Sequence, residues 1–183
     1  MPGMASSGVR LARTSDVDDI AAVNVRSWRA SMADLLPAEV LAALDPRDLA
    51  MDWASSILNP PLPTQRLLVA VDDDRVVGYA AIGPNQDPDA DPTTAEVLAL
   101  EVDPEHVRHG HGSRLMAAAI DHLRAGGMES AVTWCALGDT PRRAFLNSAG
   151  WGPDSAFRDV LVGLSPEGDE MVVRQVRLVA DLR

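Results

Sequence analysis

The stretch at positions 100–123, LEVDPEHVRHGHGSRLMAAAIDHL, constrains this chain more than any other. A short apolar strand ends at Val102-Asp103-Pro104, and a loop carrying Gly110 and Gly112 follows. A helix is predicted to open near Ser113 and to stop at Gly126-Gly127. Met116, Ala119, Ile120 and Leu123 recur at helical spacing, so one face of that helix is buried. His122 and Arg124 fall in its last turn, where positive charge suits the helix dipole. The first N–H groups of a helix have no intrahelical partner, and glycines let an anion approach the backbone closely. Strand, glycine loop and helix start together make an anion site. They predict a phosphate-bearing ligand at positions 108–114, with Arg108, His109 and Arg114 as further donors. A plain helix start with no ligand fits the two glycines equally well.

The 183 residues suffice for one domain with a real core. The net charge of -11 argues against nucleic acid, whose phosphates would be repelled. It suits a cationic substrate such as an amine, although solubility alone also accounts for it. The single cysteine, Cys135, cannot form an intrachain disulfide, so a reducing cytoplasm is expected. No apolar run has membrane-spanning length, and no membrane partner is expected. Positions 1–8, MPGMASSG, lack the apolar core of a secretory signal and read as a flexible leader before a single domain at 9–183.

Along the chain, alternation at 9–13 predicts a strand. Ser15-Asp16-Val17-Asp18 reads as a capping box opening a helix to about Ser31. Helices at 37–44 and from Asp45-Pro46 to about Leu58 follow, and the second stops at the proline-rich 59–63. Runs 66–71 and 76–83 read as a hairpin turning at 72–75. Strands are also predicted at 94–102, 130–137, 157–164 and 171–179, with a proline-started helix from Asp139 to Ala149. This order fits a mixed, mainly antiparallel α/β (α+β) sheet with helices on both faces.

Val102, Pro104, Val107, Gly110 and Gly112 resemble the V-x-P-x-x-[QR]-x-x-G-x-[GA] motif of the GNAT superfamily, the acyl-CoA-dependent N-acetyltransferases. Val107 stands where Arg or Gln is expected, but that position mainly supplies a main-chain N–H. A second pattern, N-x-x-A-x-x-F-Y-x-x-x-G-[FW], reads here as Asp139, Arg142, Ala144, Phe145, Leu146, Gly150 and Trp151. The resemblance extends from Val9 to the C-terminus and implies the GNAT fold. It also implies direct transfer of an acetyl group from acetyl-CoA to an amine, without metal or covalent enzyme intermediate. Relatives of this kind often dimerise.

The resemblance implies roles for individual residues. The N–H groups of Val107, Arg108, His109, Gly110, His111, Gly112 and Ser113 would hold the diphosphate of coenzyme A. The pantetheine arm would add to the backbone of Leu100 and Val102 like an extra strand, with Asp139 and Phe145 as further donor contacts. His111 reads as an exposed loop residue. Glu96 and Glu101 are candidate bases for the amine. Strict alternation puts them on opposite faces, and Glu101 is preferred as nearest the expected bulge. The Val102 N–H at that bulge would face the oxyanion. The usual Tyr acid is Leu146, with Asn147 and Ser148 beside it to orient a water. Trp28 would line the acceptor pocket; Trp53, Trp134, Tyr79 and Cys135 read as core.

The leading expectation is a cytoplasmic N-acetyltransferase for a small-molecule or peptide amine. A catalytically weak acyl-CoA-binding sensor or partner domain rests on the Val107 and Leu146 departures. A plain interaction domain is the third reading. The acceptor's identity is not written in the sequence.

Overall fold

Paired positive-φ residues set the tightest turn of the fold. Asp73 (φ 47°) and Asp74 (φ 62°) lie between strands β2 (Arg66–Asp72) and β3 (Arg75–Pro84). Two central residues at positive φ match the twist of the flanking strands in a tight hairpin. The computed structural model describes residues 7–88, 90–165 and 167–183. Around this hairpin it builds a seven-stranded sheet in the order β1-β2-β3-β4-β5-β7-β6. The other strands are β1 (Gly8–Leu11), β4 (Thr94–Val102), β5 (Ser130–Ala136), β6 (Gly152–Leu164) and β7 (Glu170–Asp181). Only β4 and β5 run parallel; the remaining pairs are antiparallel.

Helices α1 (Val17–Ser31), α2 (Ala38–Ala42) and α3 (Pro46–Leu58) precede the hairpin. Helix α4 (His111–Ala125) joins β4 to β5, and α5 (Thr140–Ser148) joins β5 to β6. One core forms between the sheet and α4, where Leu115, Met116, Ala119 and Leu123 pack on Leu68, Ala80, Ile82 and Val97. A second core lies on the opposite face, where Ile20 and Val23 of α1 pack on Val69, Val71 and Tyr79. The mixed sheet with helices on both faces is the architecture expected from the element order. No helix among the described residues is long and apolar enough to cross a membrane.

Several boundaries differ from expectation. Positions 1–6 of the expected leader lie outside the described residues, and Gly8 already pairs with Val71 in β1. A short 3-10 turn at Thr14–Asp16 replaces the expected capping box, and the Asp16 carboxylate accepts from the Arg13 N–H at 2.7 Å. Helix α4 starts at His111 rather than Ser113. β6 begins at Gly152, well before position 157, because it follows β7 with register shifts at 153–157 and 161–163.

The β3–β4 register carries the consequence for function. Ala81 pairs with Ala99 but Ile82 pairs with Val97, so Leu98 is left over as a bulge in β4. Before the bulge, Ala95 and Val97 face the α4 core; after it, Leu100 and Val102 do. One extra residue reverses the alternation. The expected bulge at Val102 is therefore at Leu98. Glu96 and Glu101, expected on opposite faces, share the α1 face.

Candidate functional site

β4 and β5 are paired only from Thr94↔Ser130 to Glu96↔Val132. Beyond that the strands part. Thr133 Oγ1 reaches the Val97 carbonyl at 2.9 Å, closing the last point of contact with a side chain. The Asp103 N–H donates to the Val77 carbonyl at 2.8 Å. This fixes the phase of the β3–β4 ladder: the main-chain groups of Ala99 and Glu101 point to β3, and those of Leu100 and Val102 point into the opening.

At the end of β4 the chain turns into a loop fastened from α1. Arg26 Nη2 lies 2.5 Å from Asp103 Oδ2, and Asp103 Oδ1 accepts from the Glu105 N–H at 3.1 Å. Burial alone would raise the Asp103 pKa, but the bonds from Arg26 and Glu105 outweigh it and hold it below the usual carboxylate range. Arg108 (φ 66°) and Gly110 (φ 80°) then adopt left-handed backbone. Alternation of this kind turns successive N–H groups into one concavity. Arg108 is an L residue in a costly region, which is typical of functional loops. Among the described residues, no group accepts from the N–H groups of positions 107–113; the first N–H of this segment with an acceptor is Arg114, bonded to Gly110 O at 3.0 Å. Val107, Arg108, His109, Gly110, Gly112 and Ser113 lie together in this loop and the start of α4. Phe145 closes the wall: a Cβ on Gly112 would lie 3.6 Å from its ring and 3.7 Å from Val102 Cγ2.

His111 corrects an expectation. It is the first residue of α4 and is buried. Nδ1 accepts from Arg114 Nη2 at 2.9 Å, so the proton sits on Nε2, 3.6 Å from Asp72 Oδ2. Burial, and then the Arg114 charge, lower its pKa. Its Nε2 is buried without a hydrogen-bond partner.

On the α1 side the opening widens into a cavity of about 180 Å³. Trp28, Trp53, Tyr79 and Trp134 supply its apolar walls, and Asn24, Glu101 and Arg142 its polar groups. Trp28 is there as expected. Trp53 and Tyr79 belong to the α1-side core, as expected, and also border this space, whereas Trp134 lines it from β5. Trp134 also carries the guanidinium of Arg158 over its ring at 4.3 Å. Burial, and then the Glu101 charge, raise the Tyr79 phenol well above its ordinary pKa, so it keeps its proton.

Glu101 is held from two sides: Oε2 accepts from Ser27 Oγ at 2.5 Å, and Oε1 from Arg142 Nη1 at 2.8 Å. Arg142 Nη2 also donates to the Leu100 carbonyl. Burial works against the Arg142 charge, but Glu101 more than restores it and raises the pKa. Glu96 lies at the closed end of the opening, facing Val132. Burial, its main cause, raises the Glu96 pKa, with Asp87 adding to it and Arg158 and Arg177 opposing. Asp139 lines the cavity, but its Oδ1 caps α5 by accepting from the Arg142 N–H at 3.1 Å.

Leu146, at the usual Tyr position, is buried in the α4-side core and offers no proton. Ser148 Oγ turns back and donates to the Phe145 carbonyl at 2.7 Å. Burial pushes the Cys135 thiol up to about 11, leaving it inert. Arg142 and Ser27 were missed from sequence. The one available signal was that Arg142 stands at the Ala position of the second pattern.

The model of the acetyltransferase (GNAT) family matches residues 29–151. An uncharacterised N-acetyltransferase of Bacillus subtilis, YuaI, is 30% identical over 127 residues, covering 69% of each chain. Among solved structures, the PaiA N-acetyltransferase of Thermoplasma acidophilum in complex with coenzyme A superposes with a TM-score of 0.71 at 15% identity. It covers 96% of this chain and 99% of its own. The YncA acetyltransferase of Salmonella typhimurium with acetyl-CoA gives 0.68 at 21% identity, covering 97% of this chain and 95% of its own.

Proposed function

The chain belongs to the GNAT acetyltransferase family, and on that premise we propose that it moves an acetyl group from acetyl-CoA directly onto a primary amine. As a family member it is an N-acetyltransferase with acetyl-CoA as co-substrate. The observation that carries the finer reading is the parting of β4 from β5 beside the acceptor-less amides of 107–113.

In this reading the amides of 107–113 hold the diphosphate at the start of α4, where the helix dipole favours negative charge. The fit is supported by the two left-handed residues of the loop. The main-chain edge of Leu100 and Val102 takes the pantetheine arm as an added strand, with Phe145 and Asp139 beside it. Acetyl-CoA supplies an activated thioester. The Val102 N–H, directed into the opening, donates to the oxygen that gains charge during attack.

Trp28 and Asn24 orient the amine in the cavity, and Glu101 receives its proton. That step matters because a lysine-like ammonium costs about 4.6 kcal/mol to deprotonate at pH 7, and an α-ammonium about 1 kcal/mol. The new C–N bond forms as the C–S bond breaks. A thiol with a pKa near 8.5 leaves adequately without an acid, which accommodates Leu146. The net charge of -11 draws a cationic acceptor and repels nucleic acid.

The test is thiol release from acetyl-CoA over a panel of small amines, amino acids and peptides. Turnover on at least one amine class supports the reading. Stabilisation by coenzyme A, about 2.7 kcal/mol at a hundred times its Kd, with no turnover on any amine, would instead favour a binding role.

A further inference from the structure

Arg142 passes through the opening between β4 and β5. Its helix, α5, packs on the α4 side of the sheet through Phe145 and Leu146. Its guanidinium ends at Glu101, which is bonded to Ser27 of α1 on the other side. The side chain is 21% exposed and makes two anchoring contacts, Nη1 to Glu101 Oε1 at 2.8 Å and Nη2 to the Leu100 carbonyl. Leu100 is one of the two residues whose main-chain groups point into the opening. Arg142 thus occupies the edge that an added strand needs, and ties up the carboxylate that an amine needs.

We propose that Arg142 is a positioning residue that closes the donor channel and keeps Glu101 paired until the donor's arm enters. This rests on the donor placement given above. The arm takes the Leu100 carbonyl and displaces the guanidinium. Asp139 lies in the same cavity wall and its charge already acts on Arg142, so it receives the displaced cation. A buried cation left without a partner would be costly, and Asp139 spares Arg142 that cost. Glu101 keeps only the Ser27 hydroxyl and becomes available to an ammonium. Donor binding therefore precedes amine binding.

The experiment compares coenzyme A with ADP, which carries the diphosphate but no arm, by calorimetry on wild type and Arg142→Ala. Coenzyme A should bind the variant about tenfold more tightly, equivalent to about 1.4 kcal/mol. ADP should bind both proteins alike. Arg142→Lys, which keeps the charge on one nitrogen, should fall between. Glu101→Gln loosens the latch from the other side. It should tighten coenzyme A and not ADP, and it carries the test if Arg142→Ala fails to fold. Equal coenzyme A affinity in wild type and Arg142→Ala overturns the latch alone. Weaker affinity in the variant makes Arg142 a donor ligand and also overturns it. Failure of both proteins to bind either probe overturns the donor placement beneath it.

Discussion

Glu96 and Glu101 face the same side of the sheet, because Leu98 is unpaired in β4 and reverses the alternation between them. They do not share a position: Glu96 sits where β5 still pairs with β4, and Glu101 where the cavity opens. Of the two, Glu101 lines the cavity in which the proposed amine would sit. Glu101→Gln should lower kcat/KM by about a hundredfold below the amine's pKa, the low end for loss of general base catalysis, and less above it. Glu96→Gln should leave the pH profile in place. An unchanged profile in Glu101→Gln removes its base role.

Gly112 separates space from charge. Its added Cβ would make only ordinary contacts, at 3.6 Å to Phe145, and its backbone is not left-handed. Gly112→Ala should fold normally and keep most of its coenzyme A affinity. Gly112→Asp places a like charge beside the expected diphosphate and should cost at least about tenfold, or about 1.4 kcal/mol. Retained affinity in Gly112→Asp would mean that the loop is misplaced.

His111 supplies a pH dependence whose sign follows from its surroundings. Burial and the Arg114 charge favour the neutral ring, so its folded pKa lies below the unfolded one. The unfolded chain then binds more protons just below the ordinary histidine value of about 6.5, and stability falls as pH drops through that range. Imidazole NMR should show His111 still neutral at about pH 6.5, with the proton on Nε2. Half-protonation at or above that pH contradicts the buried, Arg114-bonded ring.

Asp16 ties β1 to the start of α1. It accepts from Arg10 at 2.6 and 2.9 Å and from the Arg13 N–H at 2.7 Å. The Arg10 bond, the largest cause, lowers its pKa. This stability is present above the unfolded carboxylate pKa and is lost as pH falls through the lower folded value. Asp16→Asn should cost about 1 kcal/mol at pH 7, discounted for the partly exposed Arg10. Urea unfolding should show the difference shrinking toward pH 3. No difference at pH 7 would show the contact to be ornamental.

Local features were legible in the sequence. The period of Met116, Ala119 and Leu123 announced the buried face of α4, and Gly110 with Gly112 announced its loop. The bulge at Leu98 was not legible, since no glycine or proline marks it and register depends on β3. His111 stands between two loop glycines and reads as polar surface; its burial depends on Asp72 and Arg114 closing over it. Arg142 was hidden for the same kind of reason. Its contacts with Leu100 and Glu101 exist only because two strands distant in sequence part beside it. Trp134 looked like a core residue because apolar strands give no sign of where a sheet opens.

The most direct test of the account is a crystal structure with coenzyme A bound. The account expects diphosphate oxygens within hydrogen-bond distance of the amides at 108–113, and the arm paired to the backbone of Leu100 and Val102. A diphosphate docked elsewhere, or those amides capped by side chains while the ligand is bound, would contradict it.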